Sequence, residues 1–203
     1  MCHWQQVIKC YIILFMKTVG IIGGLGPETT TKFYIELISA YSKRGEQSYP
    51  SVLIYSVPLP RELEKECIVE AKNEEKCVSF LIEAAKSLEM GGADFVVLSC
   101  NSLHKFIENI RGAVKIPVLN IIEETVNFLK SQNIEKVGIL ATAITINNKL
   151  YESEFNRAGI KEVIPDIQDQ EKLGQLIYKL ATGDYSDIDK EALDQIIEKI
   201  SQK

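Results

Sequence analysis

The chain has 203 residues, 46% of them hydrophobic and 25% charged, with a formal net charge of −5. Such a composition belongs to a globular protein with material for one sizeable core or two smaller ones. No block of Lys and Arg stands out, which disfavours nucleic acid and anionic membrane as partners. A mildly acidic cytoplasmic enzyme is the expected class. The five cysteines (Cys2, Cys10, Cys67, Cys77 and Cys100) form no CxxC pair, and the histidines are two, His3 and His104. That pattern argues against a disulfide framework and a structural zinc site, and predicts free thiols in a reducing compartment.

Val7 to Phe15 is apolar apart from Lys9, a run shorter than the ~20 residues of a membrane span. No small-residue cleavage site marks it as a signal peptide. Met16 makes a natural start directly before the first strong strand. Residues 1–15 therefore read as an upstream extension, with an extra edge strand as the competing reading.

From Thr18 onward, short apolar runs alternate with helical stretches. Thr18 to Ile22 reads as a buried strand, closed by Gly23-Gly24-Leu25-Gly26-Pro27. Phe33, Tyr34, Leu37, Ile38 and Tyr41 carry the spacing of an amphipathic helix over residues 28–42. Ser51 to Val57 reads as a strand ended by Pro58-Leu59-Pro60, and a long helix over residues 73–90 stops at Gly91-Gly92. Phe95 to Leu98 is the next buried strand, with Cys100-Asn101-Ser102 at its carboxyl end and a helix following through His104, Ile107 and Ile110. Val118 to Ile121 continues the alternation, then a helix over 123–131. Lys136 to Leu140 opens a second strand–turn–helix series with Ala141-Thr142-Ala143-Ile144-Thr145, and helices over 146–157, 172–180 and 190–200 complete it. The alternation predicts parallel sheets with helices on both faces. Functional groups then gather at the carboxyl ends of strands: Gly23–Pro27, Ser99–Ser102 and Ala141–Thr145.

The glycine turn invites a dinucleotide reading, but the Rossmann fingerprint wants G-x-G-x-x-G. Gly24-Leu25-Gly26-Pro27-Glu28-Thr29 has Thr in place of the third glycine, a proline without an amide donor, and a glutamate that repels pyrophosphate. A tight turn at Gly24 bordering a small-molecule site fits better. Cys100 is the chemically loaded residue. A thiol where a strand ends and a helix begins has its thiolate favoured by amide dipoles, and serves as nucleophile or proton acceptor; the alternative is a small buried hydrophobe. Asn101 and Ser102 suit a substrate carboxylate. His104 either tunes the thiol or simply packs. Thr142 and Thr145 bind the second end of an anionic ligand, or cap a helix. Arg61 is a carboxylate clamp or a solvated surface residue. Cys67 and Cys77, in charged helical surroundings without catalytic neighbours, read as structural.

Met16-Lys17-Thr18-Val19-Gly20-Ile21-Ile22-Gly23-Gly24-Leu25-Gly26-Pro27 resembles the opening of the cofactor-independent aspartate/glutamate racemase superfamily. Cys100-Asn101-Ser102-Leu103-His104 resembles its first-lobe C-N-[ST]-x-H motif, and residues 138–146 resemble the G-x-L-A-T-x-x-T-I start of its second lobe. Tyr151, Pro165 through Gln170 and Ile177-Tyr178 follow the later pattern. The resemblance implies a two-lobed α/β fold, with a first lobe over residues 16–120 and a second over 121–203. It further implies a homodimer, no pyridoxal phosphate, no metal, and a two-base 1,1-proton transfer at the α-carbon of aspartate or glutamate. Cys100 is then one base, and Asn101, Ser102, Thr142, Thr145 and Arg61 surround the carboxylates.

The family pattern places its second base in a G-C-T-E-like motif after a further strand. Here the sequence stops at Lys203, on the preceding helix, and no cysteine follows Cys100. The expectation is therefore a C-terminally incomplete chain, unable to complete racemisation and poorly stable. The alternatives are a non-catalytic carboxylate-binding homologue, or an isomerase or decarboxylase of the same superfamily.

Overall fold

The structure, a computed structural model, describes residues 17–44 and 48–203; the extension read at residues 1–15 lies outside them. Strand β1 (Val19–Gly23) is buried along its whole length, as its uninterrupted apolar sequence requires of a central parallel strand. It pairs in parallel with β2 (Val52–Ser56) on one side and β3 (Phe95–Leu98) on the other, and β4 (Val118–Leu119) extends the sheet beyond β3.

Helix α1 (Pro27–Ser42) follows β1. The short α2 (Arg61–Lys65) follows β2 and runs on into a π-helical turn, Glu66–Glu70. A 3-10 turn, Glu74–Cys77, leads into α3 (Val78–Met90). Successive strand residues face opposite sides of the sheet. Ile21 packs with Phe33 and Leu37 of α1, while Ile22 packs with Leu81, Ala84, Ala85 and Leu88 of α3. Each fully buried isoleucine contributes roughly 2 kcal/mol by removal of its side chain from water.

After β3 come a 3-10 turn (Ser102–Phe106) and α4 (Ile107–Arg111). Helix α5 (Ile121–Ser131) leads to a second sheet, the parallel pair β5 (Lys136–Gly138) and β6 (Lys161–Val163). Between these strands lie α6 (Ala143–Asn147) and α7 (Glu152–Ala158); α8 (Ile167–Thr182) and α9 (Asp187–Ser201) follow. Ile122, Val126 and Leu129 of α5 meet Phe155 of α7 in one core, and Val163, Leu173, Leu176, Ile196 and Ile200 form another. The molecule is thus α/β in two lobes, each a parallel sheet flanked by helices. Among the described residues, no helix is long and apolar enough to cross a membrane.

Three local departures from the sequence pattern have identifiable causes. The helix expected over 146–157 is two helices, because Lys149 adopts a left-handed φ of 50° between them. The helix expected from Asn73 begins as a 3-10 turn, since Asn73 itself sits at φ 58°. Strand β6 carries no strand signal in the sequence, because three residues beginning Lys-Glu lack an apolar run.

Gly24 takes φ +79°, and a Cβ there would lie 2.6 Å from Ser56 Oγ and 2.7 Å from the Val57 amide nitrogen. Both the backbone conformation and the close neighbours exclude a side chain. Gly24→Ala is expected to lose about 1–3 kcal/mol of stability in urea unfolding; an unchanged midpoint would show that the turn relaxes freely.

Candidate active site

The pairing of β1 with β3 sets Ile22 opposite Leu98, so the chain segments leaving the two strands emerge side by side. Ser99 is buried there, its amide and hydroxyl both reaching the Ile22 carbonyl, at 3.0 and 3.1 Å. Its hydroxyl lies 3.2 Å from Thr30 Oγ1, which accepts the Gly24 amide at 2.9 Å. The first turn of α1 thereby ties the glycine turn to the cysteine strand. The Gly24 amide is engaged in that tie, and its neighbour Leu25 lines the cavity beside Cys100.

Cys100 is half-buried. Leu25, Leu59, Leu103 and Ile144 supply apolar walls to the cavity it faces, and Glu64, Ser102, Cys67 and Cys77 supply the polar ones. Burial pushes the Cys100 thiol up to about 11, against the pull of the Leu103 and Ser102 amides, with the Glu64 carboxylate adding to the rise. The amide dipoles expected at this strand end are present, but desolvation outweighs them.

Cys67 and Cys77, read as structural, both border the Cys100 cavity, with their sulfurs 3.6 Å apart. Cys67 donates to the Lys72 carbonyl at 3.6 Å. Cys77 then donates to Cys67, which holds the Cys67 thiol down and pushes the Cys77 thiol up. The π-helical turn after α2 carries Cys67 inward, a local winding that a run of Glu and Lys does not announce.

His104 is buried, with Nδ1 2.7 Å from the Cys100 carbonyl, while the Ile121 amide donates to Nε2 at 3.2 Å. Those partners fix a neutral ring with the proton on Nδ1. The ring therefore braces the Cys100 backbone against the start of α5.

Two further hydrogen bonds reach the site from the segment that follows β5. The Ser102 and Thr142 hydroxyls lie 2.6 Å apart, and the Tyr151 hydroxyl donates to Asn101 Oδ1 at 2.8 Å. Ile144, one residue into α6, is buried in the main core of the first lobe. Thr145 lies apart from the Cys100 cavity. Its buried hydroxyl finds no hydrogen-bond partner among the described residues, and it borders a separate hollow with Tyr151 and Glu162. Arg61 is exposed at the start of α2, whereas Glu64 of the same helix borders the cavity. Sequence reasoning missed Thr30 and Glu64. Among the described residues, no group of three or more His, Cys, Asp or Glu is arranged to hold a metal ion.

The sequence pattern of the Asp/Glu/Hydantoin racemase family matches residues 22–203. The broad specificity amino-acid racemase RacX of Bacillus subtilis (strain 168) is 29% identical over 188 residues, spanning 91% of this chain and 80% of that protein. Among solved structures, the Picrophilus torridus aspartate racemase superposes with a TM-score of 0.76 at 27% identity, covering 92% of this chain and 77% of that one. An aspartate racemase homologue from Pyrococcus horikoshii OT3 gives 0.67 at 30% identity, covering 83% and 73%.

Burial lowers the His104 pKa to about 4, against ~6.5 in the unfolded chain. Its contribution to stability is full above ~6.5 and is lost as pH falls from there toward 4, because only the unfolded chain takes up the proton in that window. His104→Gln should flatten the decline of the urea unfolding free energy between pH 7 and 4.5. Parallel declines in the two proteins would remove His104 as its cause.

Proposed function

Because the chain belongs to the Asp/Glu/hydantoin racemase family, we propose that its chemistry is the cofactor-independent 1,1-proton transfer that racemises aspartate or glutamate, with Cys100 as one of the two acid–base groups and a second cysteine, absent from these 203 residues, as the other. Family membership places the chain among the isomerases that act on amino acids. The substrate, the role of Cys100 and a homodimeric assembly are our reading.

The observation that carries it is a half-buried thiol at a strand end, in a cavity walled by apolar side chains and closed by contacts from both lobes. An α-proton is a weak acid, so its removal needs a strong base held where charge is poorly solvated. Burial that pushes Cys100 up to about 11 makes its thiolate scarce and also more basic. At neutral pH the free site holds the protonated thiol, which donates to the α-carbon as the group on the opposite face removes that carbon's hydrogen. After donation the thiolate is the base for the reverse direction. Amide and hydroxyl donors around Ser102 and Leu103 stabilise the negative charge that develops on the substrate carboxylate.

Washing out one α-proton needs Cys100 alone, without the group that serves the opposite face. In D2O the protein should exchange the α-hydrogen of aspartate or glutamate, followed by loss of the Hα signal in proton NMR. Cys100→Ser should slow that exchange by a factor on the order of 100 or more. Equal exchange in the two proteins, or none with the parent, would overturn the assignment.

A further inference from the structure

We propose that Glu64 receives the α-ammonium group of the substrate, holding an amino acid by its nitrogen in the Cys100 cavity. This rests on the amino-acid reading above and adds to it a binding residue and an orientation.

Glu64 is the one carboxyl among the described residues lining the cavity. It is half-buried, and none of the salt bridges among the described residues includes it. Burial raises its pKa; the nearby Arg61 charge and the Gly26 amide pull it back only in part. A carboxylate half withdrawn from water, with no salt bridge and only the exposed Arg61 nearby, is an unfavourable arrangement, and a cation entering the cavity relieves it. Every zwitterionic amino acid brings one such cation, two bonds from the hydrogen that Cys100 is to move.

The backbone places this group firmly. Pro60 precedes α2, the Glu64 amide donates to the Pro60 carbonyl at 3.0 Å, and Leu59 of the same stretch walls the cavity. Arg61, a residue type suited to a carboxylate, stays at the surface. The α2 side of the cavity thus attracts positive charge, and the amides and hydroxyls around Ser102 and Leu103 are left for the carboxylate.

Two chemical consequences follow from an ammonium at Glu64. An amine kept protonated withdraws electrons from the α-carbon and makes its hydrogen more acidic. Neutralising the Glu64 carboxylate also removes one of the charges that raise the Cys100 thiol, so the ammonium by itself favours the thiolate.

Calorimetry on the 203-residue chain can isolate the amine by pairing aspartate with succinate and glutamate with glutarate. Each pair shares its carboxylates and differs in the amino group. The parent protein should bind the amino acid more tightly than the matching diacid. Glu64→Gln should weaken amino-acid binding at least about 10-fold and leave the diacid unchanged or tighter, so that the preference disappears. Lys65→Gln, at an exposed neighbour, should keep it, and matching thermal melts would show that the variants fold. A preference retained in Glu64→Gln, or a parent protein that favours the diacid or binds neither, would overturn the proposal. Deuterium exchange with Cys100→Ser separates the two ideas: exchange that persists without Cys100 removes the thiol's role while leaving the ammonium site standing, and the reverse result does the opposite.

Discussion

The arrangement depends on one buried polar junction, the meeting of Thr30 and Ser99 between the ends of β1 and β3. Parallel pairing brings those two chain ends together, but it leaves amides and carbonyls without ladder partners just where the strands stop. Thr30 takes up the Gly24 amide, and Ser99 covers the Ile22 carbonyl with both its amide and its hydroxyl. With these groups satisfied internally, the glycine turn needs no ligand to hold its shape. Cys100, the next residue, emerges at a fixed height above the sheet.

From that anchor, the electrostatics of the site are a contest between solvent exclusion and local dipoles. Around Cys100 exclusion prevails. Leu25, Leu59, Leu103 and Ile144 remove water from the thiol more effectively than two amides compensate. Cys67 shows the reverse outcome a short distance away, because a direct hydrogen bond from Cys77 exceeds its desolvation. Thiols bordering one cavity are thus driven in different directions, one by burial and the other by a single hydrogen bond, which is why residue type alone does not assign their chemistry.

Much of the fold was legible in the sequence because its strongest elements obey one rule at a time. The apolar run of β1 and the 3.6-residue spacing of α1 each name their own structure and burial. The strand-end positions of Cys100 and Thr142 follow from that alternation. Legibility failed where a few residues carry a conformation that their neighbours do not advertise. Lys149 and Asn73 break or delay helices through positive φ, and β6 is held by pairing with β5, since its sequence is charged. Glu64, Cys67 and Cys77 look like members of a solvated helix. Glu64 reaches the cavity from α2, Cys67 from the π-helical turn after it and Cys77 from the end of a 3-10 turn, and those changes of winding leave no mark in composition or period.

The second lobe acts on the site by geometry. Its contacts with the segment carrying Cys100 include two hydroxyl hydrogen bonds, Thr142 on Ser102 and Tyr151 on Asn101, besides the Ile121 amide on His104 and the apolar Ile144. The two hydrogen bonds fall on the two residues directly following the thiol, so the docked lobe restrains the backbone whose amides face its sulfur. Neutral partners restrain without adding a formal charge to a poorly solvated cavity, where any added charge would shift Cys100 and Glu64 together. The charge that enters is then the substrate's own, and the cavity responds to it with groups already held in place.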